Sequence, residues 1–443
     1  MRKRHRWRRA LALTTTIMLL GGTAAANPPF VENDAEAIYT LTGSSAGDYF
    51  GWVAADIGDL DGDGVTEIVI PAITESSGGT IAGRVYVYSG ATGTQIAVHD
   101  GTAFELFGYS TSAAGDVDGD GLPDYIVGAP GYRFAPTPPL GRVVVYSGAD
   151  HSVIHEVVPA APSAFGGAVS GAGDLDGDGH DDFIVGAMLD DEERGTVTAY
   201  SGADATVLWT ATGTHAAHDG HSGDLFGSAA GLVGDVNGDA VPDVSIGAFG
   251  ANGGRGNAYV LSGVDGSIIH VLKPFGDGDV FGQFFASGAG DIDADGINDV
   301  FVADYNAGRG PRVGSGAAYV FSGATGRRLL ALHAEEAGDG FGPGRGVGDI
   351  NGDGHGDLII AAYTSSAGAS EAGKASVISG VDGSVLRTIT STIAGENFGV
   401  DALALGDLDG DGLTDYLVTA VGLAFAGTDP GTVYVIKGTD PAH

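Results

Sequence analysis

Seven short runs of this chain carry oxygen donors at the spacing that gathers around one hard cation. They begin at Asp59, Asp116, Asp174, Asp235, Asp291, Asp349 and Asp407, at intervals of 57, 58, 61, 56, 58 and 58 residues. The first reads Asp59-Leu60-Asp61-Gly62-Asp63-Gly64-Val65-Thr66-Glu67, with carboxylates at positions 1, 3, 5 and 9 and glycine at position 6. Alternate carboxylates on a tight turn converge on one point, and Ca²⁺ takes roughly six to eight such oxygens, position 7 adding a main-chain carbonyl. The candidate ligands are Asp59, Asp61, Asp63, Val65 and Glu67 in the first run, then Asp116, Asp118, Asp120, Leu122 and Asp124 in the second. The third offers Asp174, Asp176, Asp178, His180 and Asp182, and the fourth Asp235, Asn237, Asp239, Val241 and Asp243. The fifth offers Asp291, Asp293, Asp295, Ile297 and Asp299. Asp349, Asn351, Asp353, His355 and Asp357 follow in the sixth, and Asp407, Asp409, Asp411, Leu413 and Asp415 in the last. Up to seven Ca²⁺, one per repeat, is the expectation.

The loops are unequal. Asn237 and Asn351 replace Asp at position 3, keeping an oxygen and losing a charge. Ala240 replaces the position-6 glycine, where the turn wants φ > 0, at a cost on the order of 1 kcal/mol. Glu67 puts a longer arm at position 9. The fourth loop is expected to bind calcium weakest.

The elements that must hold these loops are strands. An EF-hand loop runs into a helix and sets a bidentate Glu at position 12. Here position 12 is Ile70, Val127, Val185, Ile246, Val302, Ile360 or Val418, always β-branched and apolar, which rejects that reading. Upstream stands Phe-Gly, at Phe50, Phe107, Phe165, Phe226, Phe281, Phe341 and Phe398, eight to ten residues before each loop and room for one short strand. These phenylalanines are expected in the core between blades. A second strand follows the loop and ends in small residues, as in Val127-Gly128-Ala129-Pro130. A third recurs as Arg84-Val85-Tyr86-Val87-Tyr88-Ser89-Gly90, and a weaker fourth as Gln95-Ile96-Ala97-Val98. Alternating Val, Ile, Tyr and Phe between Gly, Asp and Ser is strand patterning. A fixed period near 58 residues makes each copy one supersecondary unit, and four strands per unit give an all-β, seven-bladed β-propeller of antiparallel blades. The last repeat has a third strand but almost no chain for a fourth. The orphan strand Glu36 to Thr42 can complete it, closing the ring and covering an open edge.

Phe-Gly, then Asp-x-Asp-x-Asp-Gly-x-x-Asp, then Gly-Ala-Pro resembles the signature of FG-GAP repeats, and the chain looks like the propeller of integrin α subunits. The match runs from about residue 37 to residue 438. The resemblance implies calcium in the loops between first and second strands, on one face of the disc. It implies recognition of a protein or glycan partner on the opposite face, and a binding or adhesion role.

Residues 1–26 hold Arg2, Lys3, Arg4, Arg6, Arg8 and Arg9, an apolar run from Ala10 to Leu20, and Ala24-Ala25-Ala26. That is the pattern of a secretory signal peptide, with a hint of twin-arginine export in Arg8-Arg9. The expected product is residues 27–443 as a single secreted domain, extracellular or periplasmic, monomeric and without a membrane span. The chain has no cysteine, so disulfides cannot staple it. Its net charge of −37 becomes more negative once the basic leader is removed, which disfavours nucleic acid and anionic lipid.

Three weaker constellations remain. His215, His218 and His221 lie in an expanded linker, a spacing that could hold Zn²⁺ or belong to a solvated insert. Tyr132-Arg133-Phe134, among Pro136, Pro138 and Pro139, forms a rigid loop between second and third strands. Tyr305, Asn306, Arg309 and Arg312 occupy the equivalent loop three blades on. Both loops should project from the face opposite calcium, where arginines and aromatics serve as binding anchors. No His-Glu-x-x-His or Cys/His nucleophile pattern occurs, so a non-enzymatic module is the first reading. A carbohydrate-active hydrolase or lyase hidden among the many acids is the second.

Overall fold

In the third unit the chain leaves Phe-Gly along an inner strand, Phe165–Gly173, turns through the acidic loop and returns as Asp182–Ala187. Thr196–Tyr200 and Val207–Thr212 follow, each antiparallel to its predecessor. A computed structural model describes residues 29–218, 222–275, 278–308, 314–423 and 429–440, and in it this pattern occurs seven times as seven four-stranded sheets. The two four-residue turns recorded as helix, Asp190–Glu193 and Ala251–Gly254, contain left-handed residues such as Asp191 and Asn252.

Burial grades outward along each blade. All second strands are buried end to end, as in Asp124–Ala129 and Asp357–Ala362. Outer strands such as Gln95–Asp100 and Val153–Val157 are half exposed. Apolar clusters fall between neighbouring sheets: Phe107 packs with Ile57, Val69 and Val85 of blade one and with Tyr125, Val127 and Val144 of blade two. All seven Phe of the Phe-Gly pairs are buried, which confirms them as core.

Inner strands adjoin one another round the whole ring, blade seven meeting blade one. Their small residues make this possible. A Cβ on Gly171 would stand 2.8 Å from the Ala113 carbonyl oxygen, and one on Gly346 would stand 2.3 Å from that of Ala289. Both positions therefore admit only glycine at this spacing.

Blade seven comprises Phe398–Gly406, Asp415–Ala420, Thr432–Ile436 and, as its outer strand, Ala37–Thr42 from the chain start. Thr42 faces Thr432 and Leu41 faces Val433, the closure read from the sequence. The structure adds a second clasp. Phe30 inserts beside Phe398 and Tyr434, with ring centroids 5.6 and 5.4 Å away, and bridges to Ser391. Glu32 accepts from the Thr390 backbone N–H at 2.7 Å. The first described residues thus bind the outer strand of blade six before completing blade seven.

Candidate metal loops and central cavity

Each acidic loop is folded by its own backbone. In blade three Asp174 Oδ1 accepts from the N–H groups of Gly177 and Asp178 at 2.7 and 3.1 Å, and Oδ2 from Gly179 at 3.0 Å. Asp176 accepts from Asp178 at 3.1 Å, and Asp178 from His180 at 2.9 Å. Side chains that cap the turn this way leave oxygen lone pairs for a further partner. Position 6 is left-handed throughout: φ is 91° at Gly179 and 70° even at Ala240, whose N–H still reaches Asp235 at 2.8 Å. Sequence reasoning missed a second such residue. Ala294, at position 4 of the fifth loop, has φ 58° where six other loops have glycine.

Position 9 has a role that spacing alone concealed. Asp182 is fully buried, with Oδ2 accepting from the Leu175 N–H at 2.7 Å and Oδ1 from Gly202 at 2.8 Å. Gly202 lies in the turn between third and fourth strands, so one carboxylate ties the acidic loop to that turn. Asp124, Asp243, Asp299, Asp357 and Asp415 make the same pair of bonds, to Gly148, Gly263, Gly323, Gly380 and Gly438. Burial pushes Asp124, Asp182 and Asp299 up to about 6. Glu67 repeats the inward bond, to the Leu60 N–H at 2.7 Å, but its Oε1 is buried without a hydrogen-bond partner.

Five loops bring three carboxylate oxygens within 4.8 Å of one another. The trios are Asp59, Asp61 and Glu67; Asp116, Asp118 and Asp124; Asp174, Asp176 and Asp182; Asp291, Asp293 and Asp295; and Asp407, Asp409 and Asp415. Position 5 joins a trio only in blade five, where Asp299 does not. Among the described residues blades four and six form no such trio, since Asn237 and Asn351 supply amides at position 3. The fit to a hard cation rests on the all-oxygen donor set and on two buried orphan oxygens, Glu67 Oε1 and Asp116 Oδ1.

Neighbouring loops also interlock. His180 Nδ1 lies 2.8 Å from the Val117 carbonyl oxygen, and His355 Nδ1 the same distance from that of Ile292. Asp181 accepts from the Asp116 N–H at 2.8 Å. Two position-7 histidines therefore link blade to blade through their rings.

On the axis is a cavity of about 590 Å³. Near the acidic loops it is lined by Gly115, Gly173 and Asp181. Trp52, Tyr109, Phe284, Tyr305 and Tyr363 line it at the opposite end, where inner strands begin and second strands finish. Trp52 packs against Tyr109 and Phe284 with centroids 5.9 and 6.1 Å apart, and Phe284 lies 6.4 Å from Tyr305. Trp52 Nε1 and Thr111 Oγ1, both on residues of this lining, are buried without partners. Burial pushes the Tyr109 hydroxyl up to about 12 and raises Tyr305 and Tyr363 as well, so all three are hydrogen-bonding phenols at neutral pH. The sequence offered one weak sign of this cavity, the aromatic residues just after Phe-Gly at Trp52 and Tyr109.

The remaining described sequence candidates lie outside the axial lining, and His215 and His218 share a separate depression with Asp224. His215 turns to Asp224, Nδ1 to Oδ1 3.1 Å, in an irregular segment, and His221 lies outside the described residues. Arg133 lies over the Phe134 ring, 4.7 Å from its centroid, and Phe134 is 70% exposed. Asn306 donates to Asp279 at 2.6 Å, while Arg309 and Arg312 lie outside the described residues. A serine-hydrolase pattern that the sequence reading passed over, Gly43-Ser44-Ser45-Ala46-Gly47, forms an exposed turn after a strand, with no helix behind it.

Seven four-stranded blades, each with an acidic turn between its first two strands, define a repeat propeller. The chain carries FG-GAP repeats and resembles the integrin α propeller. Residues 51–88, 107–146, 165–203 and 341–378 match the FG-GAP repeat. Integrin alpha-5 of Xenopus laevis is 30% identical over 216 residues, 46% of this chain and 20% of that protein. Integrin alpha-PS2 of Drosophila melanogaster is 35% identical over 180 residues, 35% of this chain and 12% of that protein. The matched stretch thus spans a fifth or less of these relatives. Among solved structures, BBS1N in complex with ARL6DN superposes with a TM-score of 0.53 at 11% identity, covering 92% of this chain and 98% of that one. The exotype rhamnogalacturonan lyase YesX gives 0.50 at 15% identity, covering 90% and 75%. At those identities the likeness is one of fold. No described helix is long and apolar enough to cross a membrane.

Proposed function

We propose that this is a secreted, calcium-holding propeller that binds a protein or glycan partner through the aromatic mouth of its axial cavity, on the face opposite the acidic loops. The observation that carries this reading is the cavity itself. It has five aromatic faces at one end and two buried polar atoms without partners. A concave, mostly apolar site with a few convergent polar groups is the usual form of a recognition pocket, and 590 Å³ admits a projecting side chain or a sugar unit. Aromatic rings offer contact area at low entropic cost, and an unsatisfied indole N–H rewards a ligand acceptor. Calcium in the loops would hold the blades rigid behind this mouth, with Arg133 near enough to Tyr109 of the lining to act on it electrostatically. The phenols facing the cavity are held protonated, which suits orienting a ligand better than abstracting a proton.

The test is a glycan array and a protein pull-down with the calcium-loaded protein, comparing wild type with Trp52→Phe, Trp52→Ala and Arg133→Ala. Loss of binding with calcium-dependent melting intact supports the reading. Wild-type affinity in all three variants places recognition elsewhere. Release of unsaturated or reducing ends from a polysaccharide would favour the carbohydrate-active alternative.

A further inference from the structure

The third strands of blades one to six end in Ser-Gly, at Ser89, Ser147, Ser201, Ser262, Ser322 and Ser379; blade seven alone ends in Lys437-Gly438. Gly438 keeps its place, donating to Asp415 Oδ1 at 2.6 Å as its counterparts do in blades two to six. The side chain before it does something new. Lys437 Nζ lies 2.5 Å from Asp409 Oδ2 and 2.9 Å from Asp411 Oδ2, the carboxylates at positions 3 and 5 of the seventh loop. Asp409 also belongs to the trio with Asp407 and Asp415. An ammonium is a compact charge with three donors, so it can satisfy oxygens that would otherwise face a metal.

The place matters as much as the pairing. Blade seven is the only blade whose outer strand comes from the other end of the chain. The backbone of Lys437 sits on that seam: its N–H donates to the Glu36 carbonyl at 2.9 Å, and its carbonyl accepts from Arg387 at 2.7 Å. In blade three the turn between third and fourth strands is continuous chain, Ser201 to Thr206, laid over the loop. In blade seven no such turn exists, because the strand leaving Ile436 does not continue into the one paired with it.

We propose that Lys437 serves the seventh loop in place of calcium, so the blade that closes the ring holds its acidic turn without metal. The inference rests on calcium binding in the other loops. A tethered ammonium competes at high effective concentration with any ion that would enter, since its stem is already fixed by the strand. The seventh loop is therefore the poorest calcium site by competition, although its ligand set is complete by sequence. The fourth loop is poor for a different reason, an amide and a strained alanine in the loop itself.

The experiment compares wild type with Lys437→Ser, the residue of the other blades, and Lys437→Met, which keeps the stem and removes the charge. Bound calcium is counted by equilibrium dialysis with metal analysis, and melting is followed in EGTA and in calcium. Both variants are expected to bind one more ion than wild type. In EGTA both should melt several degrees lower, and calcium should recover more of their stability than it adds to wild type. Equal ion counts together with equal melting in EGTA would overturn the assignment. If wild type binds no calcium in any loop, the calcium reading fails. The latch is then decided by the EGTA melts alone, a lower value for Lys437→Met supporting it and an unchanged one refuting it.

Discussion

Position 3 and position 9 carry the same carboxylate and do different work. Asp176 faces the loop opening, whereas both oxygens of Asp182 are engaged by backbone N–H groups of two separate turns. Asp182→Asn would set an amide NH₂ against one of those donors, at a cost of about 1–3 kcal/mol. That loss should appear in chemical denaturation with or without calcium. Asp176→Asn should cost stability only in calcium, and in EGTA it should be neutral or slightly stabilising because like charges are relieved. Asp176→Ala should also cost more in calcium than Asp239→Ala, which damages a loop already weakened by Asn237 and Ala240. The buried acids also fix a pH dependence. Asp124, Asp182 and Asp299 sit near 6 in the folded chain, above the ordinary carboxylate value, because burial disfavours the charge. A folded value above the unfolded one means that the folded state binds protons more tightly. The stability this gives is present below about pH 4 and is lost as pH rises through 6. Calcium-free protein should therefore melt higher at pH 5 than at pH 7, and the increment added by calcium should be smaller at pH 5 than at pH 7. Melts with and without EGTA at the two pH values check both signs.

At the scale of elements, the chain start behaves as a clasp with two separable parts. Ala37–Thr42 completes a sheet, and residues 29–32 grip the blade before it. Phe30 is 2% exposed among Phe398, Tyr434 and Ile389. Phe30→Ala should cost about 3 kcal/mol or more, as a buried aromatic truncation does. Hydrogen exchange should show the loss first in the outer strand Val385–Thr390, since Thr390 and Ser391 are the direct partners of the clasp. Uniform loss of protection in all blades would show that the clasp acts globally instead.

For the molecule as a whole, the question is what opposes the crowding of so many acids on one face. Carboxylates a few ångströms apart repel unless a cation or a proton intervenes. An ion bound only by the folded state stabilises it by roughly 2.7 kcal/mol per site at a hundredfold excess over Kd. Several loops acting together should raise the melting temperature steeply with free calcium, a rise that differential scanning calorimetry across a calcium series would record. No change between EGTA and calcium would show that the loops hold without metal. The axial cavity lies on the same rigid ring, so partner binding should weaken in EGTA even though no acidic loop touches the aromatic mouth.

The period, the Phe-Gly pairs, the strand after each acidic loop and the orphan N-terminal strand were all legible in the sequence. All but the last are local signals repeated seven times, and repetition turns weak patterns into a fold. The positive φ at Ala240 was legible too, because the turn leaves no other conformation. What the chain order could not reveal are contacts between residues far apart in it. The bond from Asp182 to Gly202 joins two turns separated by a whole hairpin, and those from His180 and His355 cross between blades. Lys437 reaches a loop 28 residues behind it, and Phe30 reaches blade six across nearly the full chain. The axial cavity belongs to no single repeat: Trp52, Tyr109, Phe284, Tyr305 and Tyr363 come from blades one, two, five and six. Spacing along the chain sets what one unit can do. Closing the ring decides which units face each other, and the site opposite the acidic loops exists only through that closure.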